Sequence, residues 1–159
     1  MNTVFTVQLN PDEIHLGASH GLLRRFKKLD GQRGDRIQKM QSDWVNEIEG
    51  ACAELAWAKL RRQYWTGVAG LKAKDGADAE IRWTRHDNGG LIIYAHDSDD
   101  AVFVLAKGVA PEYRFVGWIR GREGKQIARK TNFGLLVPAD ELHPMSEKPP
   151  TITPIKEGA

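Results

Sequence analysis

Apolar positions near the start of the chain recur at the spacing of an amphipathic helix. Asn10 is followed by Pro11 at the first helical position and by Glu13 three residues after Asn10, which is typical of a helix N-terminus. The apolar positions that follow are Ile14, Leu16, Leu22, Leu23 and Phe26. They predict a first helix from about Pro11 to about Leu29.

A second helix is predicted from Ser42 or Asp43, either of which is a good N-cap residue, to about Gln63. Its apolar positions recur in steps of three and four residues, and they are Trp44, Ile48, Ala51, Leu55 and Ala58. Arg61 and Arg62 fall in the last turn, where the helix dipole favours cations.

From about residue 79 the apolar period changes to two, which is typical of strands. Strands are predicted over 79–84, 91–95, 101–106 and 113–119, with a polar loop at 96–100, a short last strand at 133–137 and a turn of helix at 138–142. The run 101–106 is continuously apolar, as expected for a strand buried on both faces. The short turns between successive strands predict an antiparallel meander.

Together these elements predict an α/β chain of the α+β type, in which two N-terminal helices pack on a central mixed or antiparallel sheet of about four strands. One domain would span residues 1–142. Residues 143–159 hold four of the seven prolines, and they are expected to form an extended or flexible tail.

The composition fits one domain and excludes some classes of protein. The chain has 159 residues, of which 41% are hydrophobic, enough to bury a core at this length. Its one cysteine excludes an internal disulfide framework. No apolar run approaches the roughly 18 residues of a membrane span, and the first residues lack the features of a signal peptide. A cytoplasmic location without a membrane partner is therefore expected.

Positive charge is concentrated in two segments, although the net charge is only +2. Residues 24–39 contain seven lysines and arginines against two aspartates, and residues 120–130 contain five against one glutamate. Such segments are either ordinary solvated faces or surfaces that contact nucleic-acid phosphates. The candidate DNA-binding side chains are Arg24, Arg25, Lys27, Lys28, Arg120, Arg122 and Lys125.

Three glutamates of the second helix have no cationic partner at helical spacing, so the helix alone does not choose among Glu47, Glu49 and Glu54. The neighbours of Glu54 at three and four positions are Gly50, Ala51, Trp57 and Ala58, so an ion pair within the helix does not account for it. The alternative explanation is an exposed glutamate, which is a good helix former.

More acids precede and begin the first long predicted strand. They are Asp75, Asp78 and Glu80, and Arg82 follows two residues later. Two carboxylates that meet at a strand end can bind Mg²⁺, which prefers oxygen ligands, and a bound metal lowers the pKa of a water and screens a phosphate. A cation two residues after the second carboxylate would then lie beside that phosphate. The alternative is a solvent-facing strand with an ordinary acid–base pair.

The order of these stretches resembles that of the PD-(D/E)XK nuclease superfamily, and most closely its small phage and prophage proteins. The matching stretches are 50–56, 75–82, 91–93, 97–105 and 116–119. The resemblance implies a restriction-endonuclease-like fold and a DNA endonuclease that uses Mg²⁺ or Mn²⁺ in the cytoplasm of a bacterial host. By position it implies that Glu54, Asp75 and Glu80 bind the metal, with Asp78 as the rival of Asp75, and that Arg82 contacts the phosphate.

Arg82 departs from the family pattern, which prefers lysine at this position. Arginine effectively never loses its proton, so Arg82 could stabilise charge on a phosphate but could not act as a general base. The alternative to the nuclease is therefore a non-catalytic module that keeps the nuclease fold and binds DNA or protein. A third alternative is a structural homodimer formed through an apolar edge near Phe115 and Trp118. The nuclease hypothesis requires the predicted carboxylates to converge at one point, rather than to be held in ion pairs.

Overall fold

The computed structural model describes residues 3–29, 37–67 and 79–145, without the side chains of 28, 29 and 37–43. Its elements in chain order are β1 (Phe5–Gln8), α1 (Pro11–Leu29), α2 (Ile37–Arg61), β2 (Glu80–Thr84), β3 (Leu91–Ile93), β4 (Val102–Val109), β5 (Glu112–Arg120), α3 (Gly121–Ile127), β6 (Arg129–Thr131), β7 (Gly134–Val137) and a 3₁₀ turn (Ala139–Glu141).

Helix α1 begins with the predicted capping arrangement. The backbone N–H of Glu13 donates to the side-chain oxygen of Asn10 at 2.9 Å, and the backbone N–H of Asn10 donates to the carboxylate of Glu13 at 3.0 Å. These two bonds satisfy backbone donors that a helix start otherwise leaves without partners. The predicted bounds, Pro11 to Leu29, are confirmed.

Helix α2 begins five residues earlier than the first predicted N-cap position. The helix starts at Ile37, so the start predicted at Ser42 or Asp43 is wrong. Packing against a neighbour can carry a helix through residues whose local preference is for a cap, and α2 lies along α1. The helix ends at Arg61, where Arg62 takes a left-handed conformation with φ of 53°.

The main sheet has four strands in the order β1-β5-β4-β2 and is mixed. β4 pairs antiparallel with β5, and β1 pairs antiparallel with β5, whereas β2 pairs parallel with β4. The predicted mixed α/β class is confirmed, but the predicted meander is wrong. The reason is that β3 leaves this sheet, which turns the connection from β2 to β4 into a crossover between parallel strands.

A second, smaller sheet has the order β3-β7-β6 and is antiparallel throughout. Its strands β3 and β7 lie within the stretches predicted as strands at 91–95 and 133–137, and the 3₁₀ turn lies within the turn predicted at 138–142. The strand β6 and the helix α3 were not predicted, because this stretch is polar and glycine-containing and shows no apolar period.

Two apolar clusters lie on the two faces of the main sheet. Alternate residues of β4 belong to different clusters: Val104 packs with residues of α2, and Phe103 packs with β3 and β7. The molecule therefore has three layers, with α1 and α2 on one side of the main sheet and the small sheet on the other. The expectation that the apolar run 101–106 is buried on both faces is confirmed.

The packed part of the chain continues slightly beyond residue 142. The backbone of His143 pairs with that of Trp118 at 2.9 and 3.0 Å, and Met145 is buried. The remainder of the predicted tail lies outside the described residues.

The apolar edge proposed for a homodimer is not a surface. Phe115 is fully buried and Trp118 is 8% exposed, and both belong to the cluster under α2. That interface prediction is therefore wrong. The two rings are three residues apart, and a register shift between β4 and β5 at this point brings both to the core face. No helix within the described residues is both long and apolar enough to cross a membrane.

Candidate functional site

Glu80 and Arg82 lie together on β2, the last strand of the main sheet. The Nη2 atom of Arg82 donates to Glu80 Oε2 at 3.1 Å and to Asp97 Oδ2 at 2.9 Å. The three side chains are 23%, 23% and 9% exposed in the order Arg82, Glu80, Asp97. One guanidinium thus compensates two partly buried carboxylates, an arrangement in which the charges stabilise one another.

Two aromatic rings and a backbone donor fix this arrangement further. The guanidinium of Arg82 lies 4.9 Å from the ring centre of Phe103 and 5.3 Å from that of Tyr94. The same oxygen of Asp97 accepts a hydrogen bond from the backbone N–H of Tyr94 at 2.7 Å. We call Glu80, Arg82 and Asp97 with these rings the Arg82 cluster.

Glu54 lies in a second cluster between the two long helices. Arg24 of α1 donates to both carboxylate oxygens of Glu54, at 3.0 and 2.7 Å, and also to the backbone oxygen of Gly67 at 3.1 and 2.6 Å. The guanidinium and the carboxylate are 15% and 22% exposed. This bidentate pair supplies the cationic partner that spacing within α2 does not provide.

The Arg82 cluster and the Glu54 pair belong to different layers. Ile81 and Trp83 pack against the apolar cluster under α2, so Glu80 and Arg82, which alternate with them, point to the opposite face of the sheet. Phe103, which lies under Arg82, belongs to the cluster on that opposite face.

Glu54 and Glu80, the two described members of the predicted three-carboxylate metal site, therefore do not come together. Asp75 and Asp78 lie outside the described residues. Within residues 3–29, 37–67 and 79–145, no three histidine, cysteine, aspartate or glutamate side chains are grouped in a way that could hold a metal ion. Glu80 and Asp97 have the oxygen donors that Mg²⁺ prefers, but Arg82 already occupies the position between them. A Mg²⁺ ion does not fit this set of side chains.

Two of the four predicted DNA contacts on α1 take part in the fold. Arg24 binds Glu54, and Arg25 is only 6% exposed. Lys27 is exposed, whereas the side chain of Lys28 lies outside the described residues. Among the described side chains of the first basic segment, Lys27 is therefore the one predicted DNA contact that is an exposed cation.

The second basic segment contains both bound and exposed cations. Arg120 donates to the backbone oxygen of Asp100 at 2.9 Å, and Lys125 binds the backbone oxygen of Asp97 and the carboxylate of Asp99. The hydrogen bond from Lys125 lowers the pKa of Asp99. Arg122 is 66% exposed and lies 3.6 Å from the carboxylate of Asp100.

The hairpin β6–β7 carries exposed side chains that the sequence analysis did not select as a site. Arg129 and Lys130 are exposed on β6, and Phe133 at the turn is 81% exposed. Arg129 is 3.4 Å from Glu141. The signal that could have found this feature is a phenylalanine that closely follows two cations in a short polar stretch. Asp97 was missed because it was interpreted as an ordinary loop residue.

A cavity of about 350 Å³ lies between α2 and β2. Its lining includes Asn46 and Gly50 from the helix and Arg85 and His86 from the end of the strand. This volume suits a small molecule rather than a nucleic-acid strand. Arg82 of the predicted site also lines it, whereas Glu54 and Glu80 do not.

A third polar cluster is buried in the core. The hydroxyl of Tyr113 and the backbone N–H of Ala110 donate to Glu49 Oε2 at 2.5 and 3.1 Å. Burial raises the pKa of Tyr113 far above its usual range and raises the pKa of Cys52 beside it from 9.0 to about 11. Both groups stay neutral at physiological pH, which suits a structural role.

No family model matches the chain, and no curated protein or solved structure matches it. The resemblance to the nuclease superfamily stays a prediction.

Proposed function

We propose that this chain is a non-catalytic module that binds DNA. The observation that carries the proposal is that Glu54 and Glu80, the two described candidates for metal ligands, are each held by an arginine. The proposal retains the fold class and the expected partner, and it gives the candidate carboxylates a structural role.

The arginine contacts argue against a catalytic metal on electrostatic grounds. A divalent cation binds carboxylates whose negative charge is available, and it would have to displace a guanidinium that shares the same oxygens. For Glu54 the displaced group would be a bidentate arginine that is also bound to a backbone oxygen. For Glu80 it would be a guanidinium that also binds Asp97 and lies over two rings. Each displacement leaves a partly buried cation without its partner, which is costly.

The choice of DNA as ligand rests on exposed cations near the end of the chain. Arg122, Arg129 and Lys130 are exposed within nine residues of one another, and Phe133 projects from the turn that follows. Cations supply contacts to phosphates that do not depend on sequence, and an exposed ring offers a stacking surface for a base. We call Arg122 of α3 together with Arg129, Lys130 and Phe133 of the β6–β7 hairpin the basic hairpin. It lies on the side of the main sheet opposite α1 and α2.

A metal-dependent endonuclease is the second candidate function. The observation that favours it is that Glu80 and Asp97 approach the same nitrogen of Arg82. Two carboxylates are thus close together at β2, one from this strand, which follows Asp75 and Asp78 in the chain, and one from the loop after β3. A state in which Arg82 turns away would break its bonds to both carboxylates.

DNA binding is tested by fluorescence anisotropy with a labelled duplex over a range of salt concentrations. Each phosphate contact contributes about 0.9 to the slope of log K against log salt, so the double variant Arg122→Gln with Lys130→Gln should lower the slope by about 2. The matched control is Arg62→Gln, which removes one exposed cation at the end of α2. Equal loss in the control and the double variant, or no binding by the wild type, would contradict the proposal.

Catalysis is tested with supercoiled plasmid and Mg²⁺ or Mn²⁺. We expect DNA binding without nicking, and the same result for Glu80→Ala. Metal-dependent nicking by the wild type that Glu80→Ala abolishes would establish the endonuclease instead. Nicking that persists in Glu80→Ala points to a contaminant or to a site elsewhere. A gain of nicking in Arg82→Lys alone would identify a nuclease site that has lost its lysine.

A further inference from the structure

Helix α1 presents a continuous exposed stripe on the side that faces away from α2. The helix packs against α2 through glycines: a Cβ atom added at Gly17 would lie 2.7 Å from Cys52 Sγ, and one at Gly21 would lie 2.6 Å from the backbone oxygen of Glu47. The exposed residues at steps of three and four on the other side are Asp12, Leu16, Ser19, Leu23 and Lys27.

The stripe contains large apolar residues at its centre. Leu16 and Leu23 are 48% and 47% exposed. Phe26, at the edge of the stripe, is 57% exposed and packs edge-on against Trp44 of α2. Leu16 and Leu23 are seven residues apart, which places them on one seam of the helix. Between them lies Ser19, whose hydroxyl donates to the backbone oxygen of His15 at 2.7 Å. Since this hydroxyl already has a partner, Ser19 can be covered without an unsatisfied donor, and its small size permits a close approach.

The stripe is also symmetric about its own midpoint, between positions 19 and 20. Leu16 and Leu23 are equally far from this midpoint, and so are Asp12 and Lys27. When two copies of such a helix lie antiparallel across a twofold axis, each residue meets the residue at the mirrored position of the other copy. Leucine then meets leucine, and an aspartate at one end meets a lysine at the other.

We infer that α1 pairs antiparallel with α1 of a second copy of this chain, with the twofold axis between positions 19 and 20. Leu16 packs against the partner's Leu23, and Asp12 forms an ion pair with the partner's Lys27. Each of these contacts occurs twice by symmetry, which gives two leucine contacts and two ion pairs in the dimer. Charge complementarity selects the antiparallel direction, because a parallel pair would place Asp12 beside Asp12 and Lys27 beside Lys27.

This interface lies in a different layer from the basic hairpin and from the Arg82 cluster. It does not depend on the proposed function. A contact made by one helix from each copy is small, so we expect a dimer with a Kd in the micromolar range.

The dimer is tested by sedimentation velocity on the full chain, diluted from about 200 µM to about 1 µM. We expect the wild type to change from dimer to monomer over this range. The variants Asp12→Lys and Lys27→Asp each place like charges opposite one another twice, and each should weaken self-association at least about tenfold. A mixture of the two variants should form a heterodimer, because every contact then joins a lysine with an aspartate.

The double variant Asp12→Lys with Lys27→Asp should form a homodimer like the wild type. Both substitutions in this double variant oppose the helix dipole and should lower helix stability. If the double variant nevertheless forms a dimer, the loss of the dimer in each single variant is due to the charges that face one another and not to a weaker helix. The matched controls Asp140→Lys and Lys130→Asp change the same charges at exposed positions outside α1, and they should leave the dimer intact.

A wild type that stays monomeric at the highest concentration would overturn the inference. So would a dimer that is unaffected by Asp12→Lys, or two variants that do not associate on mixing. If circular dichroism shows that a charge variant does not fold, Leu23→Gln decides the same question, because the wild-type charges remain and only the apolar contact is lost.

Discussion

Replacing Glu54 by glutamine separates a structural ion pair from a metal ligand. Arg24 donates to the two oxygens of Glu54 at 2.7 and 3.0 Å, and the carboxylate is 22% exposed. The amide has the same size, but it removes the charge and turns an NH₂ group towards the guanidinium. Losing a charge-assisted hydrogen bond costs about 1.5–3 kcal/mol. Because solvent partly screens the exposed fraction of this pair, we expect Glu54→Gln to lower the free energy of unfolding by about 2 kcal/mol.

The assay is urea unfolding monitored by far-UV circular dichroism. It compares the free energies of unfolding of Glu54→Gln, of Arg24→Gln and of the double variant. Glu54→Gln should lower the midpoint, and a double-mutant cycle with Arg24→Gln should give a coupling energy of about 1 kcal/mol or more. The cycle is needed because Arg24 also binds Gly67. The control is Glu112→Gln at an exposed position, for which we expect a change within about 0.5 kcal/mol.

A metal ligand would behave differently. Neutralising one acid of a cluster that lacks its metal relieves repulsion, so Glu54→Gln would then leave the metal-free protein unchanged or more stable. That result, or a coupling energy of zero with Arg24, would refute the structural role assigned to Glu54.

Three further predictions concern the core. Gly21→Ala should destabilise the fold by about 1–3 kcal/mol, because its Cβ would meet backbone, whereas Gly50→Ala, with open space around the added atom, should stabilise it by about 0.5–1 kcal/mol; thermal unfolding checks both. Tyr113→Phe should cost about 2 kcal/mol in urea unfolding, because it removes the 2.5 Å bond to Glu49. Burial raises the pKa of Cys52 from 9.0 to about 11, so on raising the pH its thiol ionises first in the unfolded chain. The contribution of the neutral thiol to stability should be complete below pH 9 and disappear towards pH 11. Urea unfolding at each pH measures this change.

Local signals in the sequence were sufficient where one stretch of chain determines its own structure. The capping residues Asn10 and Glu13 bind each other as their spacing predicts. The apolar run 101–106 is buried on both faces because no position in it is polar. Both features depend on residues a few positions apart.

Topology could not be predicted in the same way. Short turns between β2, β3 and β4 favour a meander, but β3 instead pairs with β7, which lies more than forty residues later. Helix α3 has no apolar period, because both of its buried residues, Gly121 and Gly124, are glycines. Its position depends on bonds such as that from the backbone N–H of Gly121 to Ala101, which no local pattern encodes.

The candidate site shows the same division. The sequence indicates that Glu54 lacks a partner within its helix, but it does not indicate that Arg24, thirty positions away, supplies one. Glu80 and Arg82 were selected together and do lie together. The second partner of Arg82, Asp97, comes from a loop that the chain brings back to the sheet, and it could not be identified from spacing.

Arg82 takes the place of a cation between Glu80 and Asp97. A titration of Mn²⁺ into the metal-free protein tests this, with free Mn²⁺ measured by its electron paramagnetic resonance signal. We expect no stoichiometric binding by the wild type at millimolar Mn²⁺. One bound Mn²⁺ per chain that is lost in Glu80→Gln and retained in the control Glu112→Gln would contradict it.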